Sequence, residues 1–83
     1  MKTREEVRAF IISQTGVEDL DDSLNIFEAG YVNSLFAMQL VNYLEEHFEL
    51  QVENEDLDFS NFKSVDAITA FVDQKLMVKD DNS

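Results

Sequence analysis

The chain has 83 residues, six of them basic and eighteen acidic, for a formal charge of −12, and it contains neither cysteine nor proline. That charge excludes a nucleic-acid binder, which needs clustered Lys and Arg to neutralise phosphates, and it opposes an anionic membrane surface. The missing cysteines exclude a disulfide framework, a thiol nucleophile and a thiolate metal site, and the length predicts one domain, 1–83, with a modest core.

Thr3 and Glu6 have the spacing of a capping box, and Val7, Phe10 and Ile11 form the apolar stripe of a first helix. Thr15 ends it, with Gly16 free to take the left-handed position that closes many helices. Between Val17 and Val32 no period persists, so a long loop is expected, held down by Leu24 and Phe27. Gly30 supplies a turn before the second helix.

That helix is predicted to run from Ser34 to about Phe48, with Ala37, Leu40, Val41, Leu44 and Phe48 on its core-facing stripe. Leu35 and Met38 project about 100° to 160° away from the stripe, beside Gln39, Asn42, Glu45 and Glu46. Asn33 is a favoured N-cap, which makes Ser34 the first helical residue. Unpaired amides and the positive end of the helix dipole converge there, so a phosphate joined to the Ser34 oxygen is favourably placed.

Asn54 is the expected cap of a short turn through Glu55, Asp56, Leu57, Asp58 and Phe59. Ser64 caps a last helix, with Asp66 in its first turn and Val65, Ile68, Phe71, Val72 and Leu76 on its buried face. Residues 79–83 carry nothing to bury and are expected to form a mobile tail. The fold class is therefore all-α: a small antiparallel helical bundle of three longer helices and one short helix, with a long first loop.

Catalysis finds no support in these residues. His47, the sole histidine, lies about 20 Å from Ser34 along the same helix at 1.5 Å per residue, too far to act as its base. It reads as a surface residue. Asp19-x-Asp21-x-Ser23 and Asp56-x-Asp58-x-Ser60 begin like calcium loops, but neither has the glycine at the sixth position or the glutamate at the twelfth. No metal site and no catalytic residue are expected. Apolar runs are too short for a membrane span and the N-terminus lacks the pattern of a signal peptide, so a cytoplasmic, monomeric protein is expected.

Two readings of Ser34 stand on the residues alone. In one, it is a helix-start serine beside scattered surface hydrophobes. In the other, it is an attachment point for a group added by an enzyme that docks on Leu35, Met38 and the acidic residues downstream.

The runs Asp22-Ser23-Leu24, Phe27-Glu28-Ala29-Gly30, Tyr31-Val32-Asn33-Ser34-Leu35 and Leu40-Val41 resemble the acyl carrier protein family, whose signature is Gly-x-x-Asp-Ser-Leu at the start of the second helix. The similarity continues to Ser64-Val65-Asp66-Ala67-Ile68, and so covers nearly the whole chain. The resemblance implies a 4′-phosphopantetheine arm, taken from coenzyme A, on Ser34, and a docking surface of Leu35, Met38, Gln39, Asn42, Glu45 and Glu46. The implied partners are a phosphopantetheinyl transferase, acyl-loading and tailoring enzymes, and an acyltransferase or synthase module with a basic docking surface.

Asn33 stands where most members have aspartate; it keeps the capping capacity and removes a charge that the transferase reads. The run Asn33-Ser34-Leu35-Phe36-Ala37-Met38-Gln39-Leu40-Val41 is similar to discrete carriers of methoxy-, hydroxy- or aminomalonyl-type extender units for polyketide or hybrid polyketide and nonribosomal peptide assembly, including antibiotics. Carriage of amino acyl, D-alanyl or fatty acyl groups is the alternative within that class. An unmodified acidic helical interaction domain is the alternative outside it.

Overall fold

The computed structural model describes residues 3–81, with side chains described for residues 3–77. Four helices and no strand occur among the described residues: α1 (Thr3–Thr15), α2 (Ser34–His47), α3 (Phe59–Phe62) and α4 (Val65–Asp81), with a 3-10 turn at Asn54–Asp56. The small helical bundle expected from the sequence is what forms.

Helix α1 buries Val7 and Ile11 completely, and Glu5 and Glu6 complement the dipole at its start. Thr3 is already inside the helix and not at the cap position assigned to it; the residue before it lies outside those described. The Gly16 N–H donates to the Ile12 carbonyl at 2.7 Å, and a φ of +75° lets the chain leave the helix there.

The loop that follows is held most deeply by Leu20 and Ile26, which are buried, while the expected anchors Leu24 and Phe27 pack half-buried against the same core. Backbone hydrogen bonds explain the difference. Ile26 N–H donates to the Lys63 carbonyl at 2.8 Å, and Asp66 N–H donates to the Asp22 carbonyl at 2.9 Å, so the loop is fastened directly to the start of α4. Asn25 Oδ1 accepts from the amides of Phe27 and Glu28 at 3.0 Å each, turning the chain outward. Gly30, at φ +81°, completes the turn into α2.

Helix α2 runs antiparallel to α1, because Glu6 meets His47 while Phe10 meets both Tyr43 and Phe36. Phe10 and Tyr43 stack with ring centroids 4.1 Å apart. The buried stripe is Phe36, Leu40 and Leu44, rotated from the predicted one: Phe36 joins it, while Ala37, Val41 and Phe48 are only half-buried. Phe10 of α1 packs against Phe36, whereas Ala37 and Val41 line an open cleft.

The expected short helix through Phe59 is divided in two. Glu53, not Asn54, caps the 3-10 turn: its amide donates to Asp56 Oδ2 at 2.9 Å. The chain leaves the helical region at Leu57, and Asp58 restarts it as the cap of α3, its Oδ1 accepting from Ser60 N–H at 2.9 Å. Ser64 Oγ then caps α4 by accepting from Ala67 N–H at 3.1 Å. Val65, Ile68, Phe71 and Val72 bury the inner face of α4, with Leu76 half-buried beside them. The α4 backbone stays helical through Asp81, into the segment read as a tail; residues 82 and 83 lie outside those described.

Candidate functional site

Ser34 is exposed and is the first residue of α2. Asn33 caps the helix from extended backbone, with Oδ1 accepting from Phe36 N–H at 3.2 Å. The Ser34 and Leu35 amides occupy the first two helical positions, where an α-helix provides no internal acceptor. Two amides and the dipole of a fourteen-residue helix thus meet at the Ser34 hydroxyl.

The predicted docking residues divide by burial. Leu35 and Met38 are 64% and 68% exposed, large values for apolar side chains, and Gln39, Asn42 and Glu46 are exposed beside them. Glu45 differs. It is half-buried, and its Oε2 accepts from Val52 N–H at 3.0 Å, holding the chain that leaves α2.

Next to Ser34 lies an apolar cleft of about 280 Å³. Buried Phe62 forms its floor, half-buried Phe27, Ala37 and Val41 form its walls, and exposed Ser34, Met38, Leu57, Asp58 and Phe59 surround it. Phe27 leans on Phe59 across it, with ring centroids 4.8 Å apart. The half-burial of Ala37 and Val41 is thereby accounted for: both line the cleft, and Val41 also packs against the core.

Sequence reasoning did not identify this cleft. Its signal was Leu57 and Phe59, two large apolar residues in a segment too short to bury both, and they are 56% and 53% exposed. Asp58 lies between them, and the amide and hydroxyl of Ser60 donate to its carboxylate at 2.9 and 3.0 Å, holding its pKa below the ordinary carboxylate value.

The other candidates have structural roles. His47 Nε2 lies 2.9 Å from Glu6 Oε1 and the ring stacks on Tyr43, joining α2 to α1. Asp21 Oδ1 accepts from the amide and hydroxyl of Ser23, a turn that lowers its pKa, just as Asp58 does with Ser60. Asp56 pairs with Lys75, and that contact together with the Glu53 amide lowers its pKa. The hydroxyl pKa of Tyr43 is raised by desolvation and by the charge of Glu6.

An accessible hydroxyl at a capped helix start, exposed apolar side chains and a neighbouring cleft form a fitting seat for a phosphate-linked arm. Comparison with curated proteins returned no match. The family profile described as the phosphopantetheine attachment site matches residues 5–72, a span from the first turn of α1 to the buried face of α4. An unmodified interaction domain is set aside by that match, and the chain belongs to the phosphopantetheine attachment family, as a non-catalytic carrier domain with a covalent 4′-phosphopantetheine prosthetic group.

Proposed function

We propose that Ser34 bears the prosthetic group and that the loaded carrier holds a small acyl group, a substituted malonyl-type extender unit, for polyketide or hybrid polyketide and nonribosomal peptide assembly. The observation that carries the attachment point is the exposed Ser34 hydroxyl at the first position of α2, beside unpaired amides and at the edge of the apolar cleft. When bound, the group supplies the thiol, and hence the thioester, that a cysteine-free chain cannot provide.

Ser34 Oγ forms the new phosphodiester to the pantetheine phosphate as the pyrophosphate bond of coenzyme A breaks. Its proton goes to the transferase, and adenosine 3′,5′-bisphosphate leaves. Asn33 holds the helix start in place through its bond to Phe36 N–H, so the hydroxyl is presented at a fixed position. Leu35 and Met38 are the apolar anchors for partner enzymes, and Gln39, Asn42 and Glu46 surround them, Glu46 meeting basic groups on the partner. Glu45 contributes through its charge while also holding Val52.

The extender-unit reading is supported by the run from Asn33 to Val41. Incubation with coenzyme A and a promiscuous transferase adds about 340 Da to the wild type and nothing to Ser34→Ala. Addition to both, or to neither, overturns the assignment of Ser34. Intact mass of the carrier isolated from its native host distinguishes a malonyl-type increment from amino acyl, D-alanyl or fatty acyl ones.

A further inference from the structure

With Ser34 as the attachment point, we infer that the groove between α1 and α2 is the resting place of the unacylated pantetheine arm. This groove lies on a different flank of α2 from the apolar cleft. Leu35, Gln39, Asn42 and Glu46 line the one and Ser34, Ala37, Met38 and Val41 the other, two sets rotated by more than about 90° at the period of the helix.

Two adjoining recesses form the groove. One, of about 200 Å³, is bounded by Asn33 and Leu35, the residues on either side of Ser34, and by Tyr31 and buried Phe36. The other, of about 370 Å³, is lined by Phe10 and Tyr43, whose ring centroids stack 4.1 Å apart, and by Asn42 and Glu46. Gln14 of α1 and Gln39 of α2 line both, and so join them.

The groove and the arm agree in length. Leu35 and Glu46 are separated by about 16 Å along α2 at 1.5 Å per residue. From the serine oxygen to its sulfur the arm spans roughly fourteen bonds, which at about 1.2 Å of advance per bond reach about 17 Å.

They also agree in chemistry. The middle of the arm carries two secondary amides and a hydroxyl, all uncharged. Gln14, Gln39 and Asn42 are exposed carboxamides that can each donate and accept, and among the described residues none of the three is engaged in a hydrogen bond. Phe10, Phe36 and Tyr43 offer apolar surface to the paired methyl groups of the arm. Glu46, at the far end, is the one charged residue that lines either recess, so the groove suits a neutral polar ligand.

The cleft suits the same part of the arm poorly. Beyond Ser34 and Asp58, every residue lining it has an apolar side chain. Two amides placed there lose water and gain few partners. In the groove the carboxamides replace that water. Each exchange is close to neutral, but the tether holds the arm at an effective concentration of order millimolar, so contacts too weak to bind free pantetheine suffice. An enzyme that loads the carrier therefore meets the thiol near Asn42 and Glu46, within the surface on which it docks.

The full chain, labelled with nitrogen-15, is compared before and after a promiscuous transferase and coenzyme A load it to completion, as followed by intact mass. In the loaded wild type the side-chain amides of Gln14, Gln39 and Asn42 shift, and the methyl protons of the arm show Overhauser contacts to the rings of Phe10 and Tyr43. The amides of Phe59 and Phe62 stay in place. Gln14→Ala combined with Gln39→Ala reduces the Asn42 shift by at least about threefold, and Phe59→Ala, in the cleft, leaves it unchanged. Both glutamines are exposed, so the double variant keeps the fold. Shifts confined to residues 33–36, shifts at Phe59 and Phe62 in place of the groove, an Asn42 shift that survives the double variant, or its loss in Phe59→Ala overturns the groove assignment. Absence of any mass increase would instead overturn the attachment at Ser34, so the two failures are distinguishable.

Discussion

Arg8 is tied to Asp22 across fourteen residues of sequence: its Nη1 lies 2.5 Å from Asp22 Oδ1, and the same nitrogen donates to the Leu20 carbonyl at 2.6 Å. Arg4 reaches Asp22 as well, at 3.2 Å, and pairs with Asp66 of α4. One end of the long loop is thus clamped between α1 and α4, and Leu20 is delivered to the core. With only six basic residues in the chain, two are committed to holding this loop.

Replacing Arg8 by methionine keeps the aliphatic stem and removes the clamp. The pair is part-exposed, so solvent screening limits the loss to about 1–2 kcal/mol. Urea unfolding measures it, and hydrogen exchange of the Asp66 and Ile26 amides, which tie the loop to α4, should rise more than that of α2.

Leu40 and Leu44 are completely buried, whereas Met38 is 68% exposed. Leu40→Ala and Leu44→Ala each cost about 2–5 kcal/mol, and Met38→Ala changes stability by less than about 0.5 kcal/mol. Chemical denaturation of the three variants checks the assignment of faces on α2. Weakened binding of a partner enzyme by Met38→Ala, with stability intact, is the matching functional result.

Phe59 covers the cleft while contributing little to the core. Its replacement by alanine removes the contact with Phe27 and costs about 1 kcal/mol, less than a buried phenylalanine would. Thermal unfolding gives the stability change, and the cleft should open further to apolar dyes.

Asp56 has a lowered pKa because of Lys75 and the Glu53 amide. A carboxylate with a lowered pKa in the folded state contributes stability that is fully present above its unfolded value, about 4, and lost as pH falls through the folded value. Asp56→Asn therefore lowers stability at pH 7 and flattens the loss below pH about 4. Denaturation midpoints measured between pH 7 and pH 2 test the sign.

Glu49 follows α2 with φ +54°, a left-handed conformation that costs a residue with a Cβ about 1 kcal/mol.

The starts of α2 and α4 were legible in the sequence because a cap acts within three residues: Asn33 reaches Phe36 and Ser64 reaches Ala67. The same locality explains the inner faces of α1 and α4 and the outward placement of Leu35 and Met38, since helical period alone fixes which side chains share a face. The position of Ser34 at the start of α2 needed nothing more. Tertiary structure decided what covers each face. Phe10 packs on Phe36 while Ala37 and Val41 line the cleft, and backbone bonds from the loop to Lys63 and Asp66 hold Ile26 and Leu20 deeper than Phe27 and Leu24. Asp58 became a neighbour of Ser34 in the same way. Those relationships join residues 24 to 44 positions apart, and neither period nor capping carries information over that range.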